Sequence, residues 1–207
     1  MSDEKPDFGP IQHPLLIVIS GPSGVGKDSV VRGLRERGLP LHFVVTVNTR
    51  PPRPDEKDGE DYHFISRAEF QRMKAAGELL EHAAVYNDFK GVPRQQVRKA
   101  MATGQDVLMR LDVQGADTIR NAAPQALLIF LTTASEEELI ERLKGRKTEN
   151  AEDLALRLKT ARAEFKRLPE FDYVVANREG ELDEAVDAVA SIIQAEHHKV
   201  QPRRVQL

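Results

Sequence analysis

Seven residues, Gly21-Pro22-Ser23-Gly24-Val25-Gly26-Lys27, restrict this chain more than any others. An apolar run, Leu15-Leu16-Ile17-Val18-Ile19, leads into them, and a helical pattern, Val30-Val31 then Leu34, follows. Strand, glycine-rich turn and helix in that order is the setting of a phosphate-binding loop. Glycines let successive backbone N–H groups turn inward to form an anion-binding concavity. The helix behind aims its positive dipole end at the same point. Lys27 adds a full charge within reach of β- and γ-phosphates. The residue after such a lysine is ordinarily Ser or Thr, whose hydroxyl ligates Mg²⁺; here Asp28 and then Ser29 follow. Asp28 either supplies an oxygen to the metal, directly or through water, or is a first-turn acid favoured by the helix dipole. Without a cation between them, its charge opposes the phosphates.

The 207 residues suffice for one ordinary domain with inserted lobes. A net charge of −3 argues against a nucleic-acid binder. The chain has no cysteine, which excludes disulfides and Cys-bearing metal sites. No apolar stretch reaches the ~18 residues of a membrane span. The first fourteen residues carry Asp3, Glu4, Asp7 and three prolines, unlike a signal or transit peptide. These features lead us to expect a cytoplasmic protein with flexible tails at 1–14 and 197–207.

Between the tails the pattern alternates. Strands are expected at Leu15–Ser20, Leu41–Val47, Asp106–Asp112, Ala126–Leu131 and Tyr173–Ala176, with helices at 27–37, 94–103, 114–122, 152–167 and 181–196. Ser135 with Glu138 marks a further helix start. Alternation of this kind implies an α/β fold with a parallel sheet and right-handed crossovers. The stretch 48–93 breaks the rhythm with a charged, proline-rich loop from Asn48 to Tyr62, and a helix opened by Ser66 and Glu69. It reads as a lobe inserted into a core of 15–47 and 94–196. The polar segment from Gly145 to Glu152 reads as part of a lid over 145–157.

Arg50-Pro51-Pro52-Arg53-Pro54, then Gly59-Glu60-Asp61-Tyr62-His63-Phe64, follow the phosphate loop. Leu80-Glu81, Gly91, Leu111-Asp112-Val113-Gln114-Gly115-Ala116, Arg142-Leu143, Arg146, Arg157 and Asp172-Tyr173-Val174-Val175 with Asn177 come after in order. Over about residues 15–195 the chain resembles the guanylate kinase family. The resemblance implies a P-loop NTPase parallel sheet with helices on both faces, a GMP-binding lobe and a mobile lid. It also implies transfer of the ATP γ-phosphoryl group to GMP with Mg²⁺. ATP and GMP would be the partners of a monomer or homodimer, without nucleic acid or membrane.

Several residues suit that chemistry in their own right. Arg50 and Arg53 on one loop are bidentate donors fit for a phosphate dianion. Guanine presents two adjacent donors, N1–H and its amino group. A carboxylate such as Glu81 accepts from both, whereas adenine offers an unprotonated N1. By resemblance, Tyr62 donates to the acceptor phosphate, Glu56 belongs to the GMP lobe, and Thr46 and Asp112 help hold guanine. Gly21, Ser23, Gly24, Val25, Gly26, Lys27, Asp28 and Ser29 would bind ATP, with Asn177 at its adenine. Lys27, Arg142, Arg146 and Arg157 are the expected catalytic cations, and Asp28 or Ser29 the metal ligands. Arg142 is also spaced to pair with Glu138 one helical turn earlier.

The departures from the family pattern are specific. Lys90 replaces a tyrosine associated with the GMP phosphate and can act by charge. Val92 lacks the hydroxyl expected to meet the base. Arg110 stands where the family often has an acid. Asp28 and Arg110 can compensate each other. A kinase of the same scaffold acting on another phosphorylated sugar or nucleotide is the first alternative. A non-catalytic interaction module is the second, opposed by the intact Gly21, Gly26 and Lys27.

Overall fold

The computed structural model describes residues 13–54, 56–85, 88–144 and 151–207. Its centre is β1 (Leu16–Ser20), every residue of which is buried. Alternation along that strand divides the core in two. Ile17 and Ile19 pack with Val30 and Leu34 of α1 (Lys27–Glu36) and Val186 and Val189 of α7 (Leu182–His197). Leu16 and Val18 face the opposite layer, with Val97 of α3 (Arg94–Ala102) and Ile119 of α4 (Val113–Ala122). Each such side chain contributes about 1.5–3 kcal/mol on burial.

The main sheet runs β2 (Leu41–Phe43), β7 (Asp106–Arg110), β1, β8 (Leu127–Thr132), β9 (Tyr173–Ala176), all parallel. Two more helices, α5 (Glu136–Lys144) and α6 (Ala151–Phe165), complete the α1 and α7 face. A second, mixed sheet of four strands runs β4 (Tyr62–Phe64), β3 (Thr46–Asn48), β6 (Asp88–Pro93), β5 (Leu79–Val85). It carries α2 (Arg67–Ala75), whose N-cap Ser66 accepts from Glu69 N at 3.1 Å. Phe70 stacks on Phe89 at 5.1 Å in a small core of its own.

Two expectations change, and one strand lies outside the expected set. Leu41–Val47 is not one strand: β2 pairs with β7, whereas β3 pairs with β4 and β6. The chain crosses at Val44 and Val45, where Val45 N turns to the Gln96 side chain at 3.1 Å. β-Branched residues suit either sheet, so local propensity carries no sign of the break. β6 contains Gly91 and Pro93, which argue against a strand locally, yet Gly91 pairs with His82 on one side and Val47 on the other. Finally, the segment after α7 is docked rather than loose. Arg203 reaches Glu196 at 2.8 Å and the Ala126 carbonyl at 3.1 Å, and Val205 and Leu207 pack on the α3 and α4 layer. His197, the last residue of α7, sits 2.6 Å from Asp106.

Candidate active site

The phosphate loop closes on itself because only glycine fits at its corners. Gly21 has φ 135°, and a Cβ there would lie 2.1 Å from the Leu131 carbonyl oxygen. Gly26 has φ 88°, and its Cβ would lie 2.3 Å from Asn177 Nδ2. Lys27 begins α1 and folds back to donate to the carbonyls of Gly21 (2.5 Å) and Pro22 (2.9 Å). Burial lowers its ammonium to about 8, against the opposing pull of Glu164, Asp28 and Asp112. An arriving anion favours the charged form again.

Asn177, directly after β9, donates from Nδ2 to the Val25 carbonyl at 2.9 Å, and Arg142 reaches the same oxygen at 3.4 Å. Arg142 also pairs with Glu138, with Glu179 at 3.3 Å, and with the Asn177 carbonyl at 2.9 Å. These two residues therefore brace the loop from α5 and β9. Arg157 lies half-buried on α6. Arg146 lies outside the described residues, as do residues 145–150 of the expected lid.

Across the C-terminal edge of β1 stands a second cluster, centred on Tyr62. The register of β3 sets Thr46 beside Tyr62 and Asn48 beside Lys90. Three cations surround the Tyr62 ring: Arg110 at 5.1 Å, Arg50 at 5.3 Å and Lys90 at 5.5 Å from its centroid. Burial, then Arg110 and Arg50, lower the Lys90 ammonium. Burial raises the Tyr62 hydroxyl. Such a surplus of positive charge is a receptor for an anion. Glu56 spans the Arg50 guanidinium with both oxygens, at 2.5 and 2.6 Å, and accepts from Arg53 N at 2.8 Å. Glu56 thereby orients Arg50. The Arg53 residue itself is exposed.

Glu81 on β5 is 3% exposed. Burial, then the neighbouring Asp112, lift its carboxyl to about 8, with Lys90 acting the other way. Gly115 of α4 backs it so closely that a Cβ there would lie 3.1 Å from Glu81 Oε1. Asp112 caps α4, its Oδ1 accepting from Gly115 N at 2.7 Å. Asp112 therefore acts on Glu81 through the helix start as well as through its charge. Val92 is fully buried in the core.

Two participants escape sequence reasoning. Gly115 is one, since helix glycines rarely announce a contact. Glu164 on α6 is another: burial lifts its carboxyl to about 7, with Lys27 lowering it and Asp112 raising it. A bridge also joins the two clusters, where Arg110 Nη1 lies 2.5 Å from Asp28 Oδ1. The charges seen as mutually compensating do pair. That engagement bears on the metal. Among the described residues no group of three or more His, Asp or Glu side chains is placed to hold an ion. Asp28 is engaged by Arg110.

A phosphate loop on a parallel α/β sheet, facing a cation cluster and a buried carboxylate on an added sheet, defines a nucleoside monophosphate kinase. A family model described as guanylate kinase matches residues 13–196. The chain is 50% identical over 201 residues to guanylate kinase 2, chloroplastic/mitochondrial, of Oryza sativa subsp. japonica, covering 97% of this chain and 70% of that one. It is 47% identical to guanylate kinase of Rhodococcus jostii, covering 86% of each. The crystal structure of guanylate kinase from Anaplasma phagocytophilum superposes with a TM-score of 0.76 at 33% identity, covering 91% of this chain and 89% of that one. The chain belongs to the guanylate kinase family. No helix among the described residues is long and apolar enough to cross a membrane.

Proposed function

We propose that this site transfers the γ-phosphoryl group of Mg²⁺-ATP to GMP, with the labour divided between its two clusters. Backbone N–H groups of Gly21 to Ser29 and the Lys27 ammonium hold the ATP β- and γ-phosphates. The divalent cation arrives as part of the ATP complex and shields the phosphate charge. Arg50, Arg53, Lys90 and the Tyr62 hydroxyl hold the acceptor phosphate. Glu81 accepts from guanine N1–H and the amino group, with Thr46 and Asp112 at the edge of the base. The P–O bond to ADP breaks as a new P–O bond forms to a GMP phosphate oxygen. Lys27, Arg157 and the lid arginine Arg146 meet the charge that develops on the transferring group. Arg142 and Asn177 serve by holding the loop in shape.

The observation that carries this reading is Glu81. A carboxylate 3% exposed costs free energy unless donors meet it, and guanine brings two in the required spacing. The test is ADP release from Mg²⁺-ATP with GMP, AMP, UMP or CMP, for the wild type and Glu81→Gln. Turnover with GMP alone, cut at least 100-fold by the substitution, supports the assignment. Activity with none of the four refutes it and points to another phosphorylated acceptor. Absence of any thermal shift with ATP would instead favour an interaction module.

A further inference from the structure

Asp28 and Arg110 meet between the two clusters of the site. Asp28 is the second residue of α1, on the donor loop. Arg110 ends β7, in register with Ile19 of β1, immediately beside the strand that launches the loop. Its guanidinium spans the gap: 2.5 Å to Asp28 Oδ1 on one side, and 5.1 Å from the Tyr62 ring centroid on the other. The arginine side chain is 20% exposed and the aspartate 69%. Where the family pattern has a hydroxyl and often an acid, this chain has an ion pair. Each of the two arginines around Tyr62 is held by its own acid. Glu56 grips Arg50 from the lobe, and Asp28 grips Arg110 from the donor loop.

We propose that Asp28 is the counter-ion of Arg110 rather than a metal ligand, and that the pair makes the donor loop part of the acceptor-phosphate site. Arg110 then contributes charge to acceptor recognition. Asp28 is a positioning residue that acts through it. This rests on the reading that the GMP phosphate binds at Tyr62. The sign of each effect follows from charge. Removing Asp28 leaves Arg110 uncompensated and raises the positive potential felt by a phosphate dianion. Removing Arg110 leaves the Asp28 charge bare in front of that dianion. Removing both restores neutrality.

The test is calorimetric titration of GMP and of guanosine, in EDTA and without ATP, into the wild type, Asp28→Asn, Arg110→Gln and the double variant. Asp28→Asn is expected to tighten GMP roughly three- to tenfold, and Arg110→Gln to weaken it by a similar factor. The double variant should return to within about twofold of wild type, and guanosine binding should not move in any of them. A structural lesion would weaken guanosine and GMP together. A second titration follows Mn²⁺-ATP by the electron paramagnetic resonance of the metal, and Asp28→Asn should not weaken it. Normal GMP binding in the wild type that neither variant alters, with Mn²⁺-ATP weakened by Asp28→Asn, would overturn the proposal alone and restore Asp28 as a metal ligand. A wild type that binds GMP no better than guanosine would overturn the acceptor assignment, and this proposal with it.

Discussion

Glu81 makes recognition and stability oppose each other, and the conflict is measurable in the ligand-free protein. Its carboxyl is 3% exposed, and burial lifts it from 4.5 to about 8. Between those two pH values the folded protein keeps a proton that the unfolded chain releases. Stability therefore falls as pH rises through this window, by up to about 1.4 kcal/mol per unit. The contribution is whole below 4.5 and lost by about 8. From pH 5.5 to pH 8 the loss amounts to about 3 kcal/mol. Glu81→Gln has the same shape and does not titrate. The stability of the variant relative to wild type should accordingly rise by about 3 kcal/mol across that range, other groups cancelling in the difference. Urea unfolding of both proteins at the two pH values, followed by far-ultraviolet circular dichroism, measures it. A difference independent of pH would refute the reasoning. The same ionisation governs the ligand, since only the carboxylate accepts from both guanine donors. Wild-type GMP affinity should climb as pH rises toward 8, while the weakened affinity of Glu81→Gln stays flat.

Other perturbations test the rest of the site. Gly115→Ala adds a Cβ 3.1 Å from Glu81 Oε1 and 3.2 Å from Leu111 Cβ. Steady-state kinetics should show KM for GMP raised roughly tenfold with KM for ATP unchanged. Gly26→Ala places a side chain at φ 88° and 2.3 Å from Asn177 Nδ2. It should lose the thermal stabilisation that ATP gives the wild type, read by a melting scan with and without nucleotide. Arg203→Ala tests the C-terminal clasp. Burial pushes the Glu196 carboxyl up, but hydrogen bonds from Arg203, Lys199 and Tyr173 outweigh it and hold it at about 2. The variant should lose about 2–3 kcal/mol at pH 7. Because the wild-type contribution is present above about 4.5 and lost as pH falls toward 2, the deficit should shrink in acid unfolding.

What could be read in the sequence is what short-range physics enforces. The strand–glycine–helix order around Lys27 is legible because its turn geometry admits only glycine at Gly21 and Gly26. The Ser66 cap is legible because its hydrogen bond spans three residues. Arg50 and Glu81 are legible because their chemistry suits a phosphate and a guanine, and Tyr62 by resemblance to the family. The charge change at Asp28 and Arg110 was visible too, although their 82-residue separation hid their contact. Tertiary structure alone decided where β2 yields to β3, since Val44 and Val45 suit either sheet and pairing partners settle the matter. It made a strand of the segment holding Gly91 and Pro93, by supplying neighbours on both sides. It made Glu56 the clasp of Arg50, brought Gly115 against Glu81, and set Glu164 near Lys27. These are contacts between residues far apart in the chain, and burial, which moves the Glu81 and Lys27 protons, exists only once the layers close.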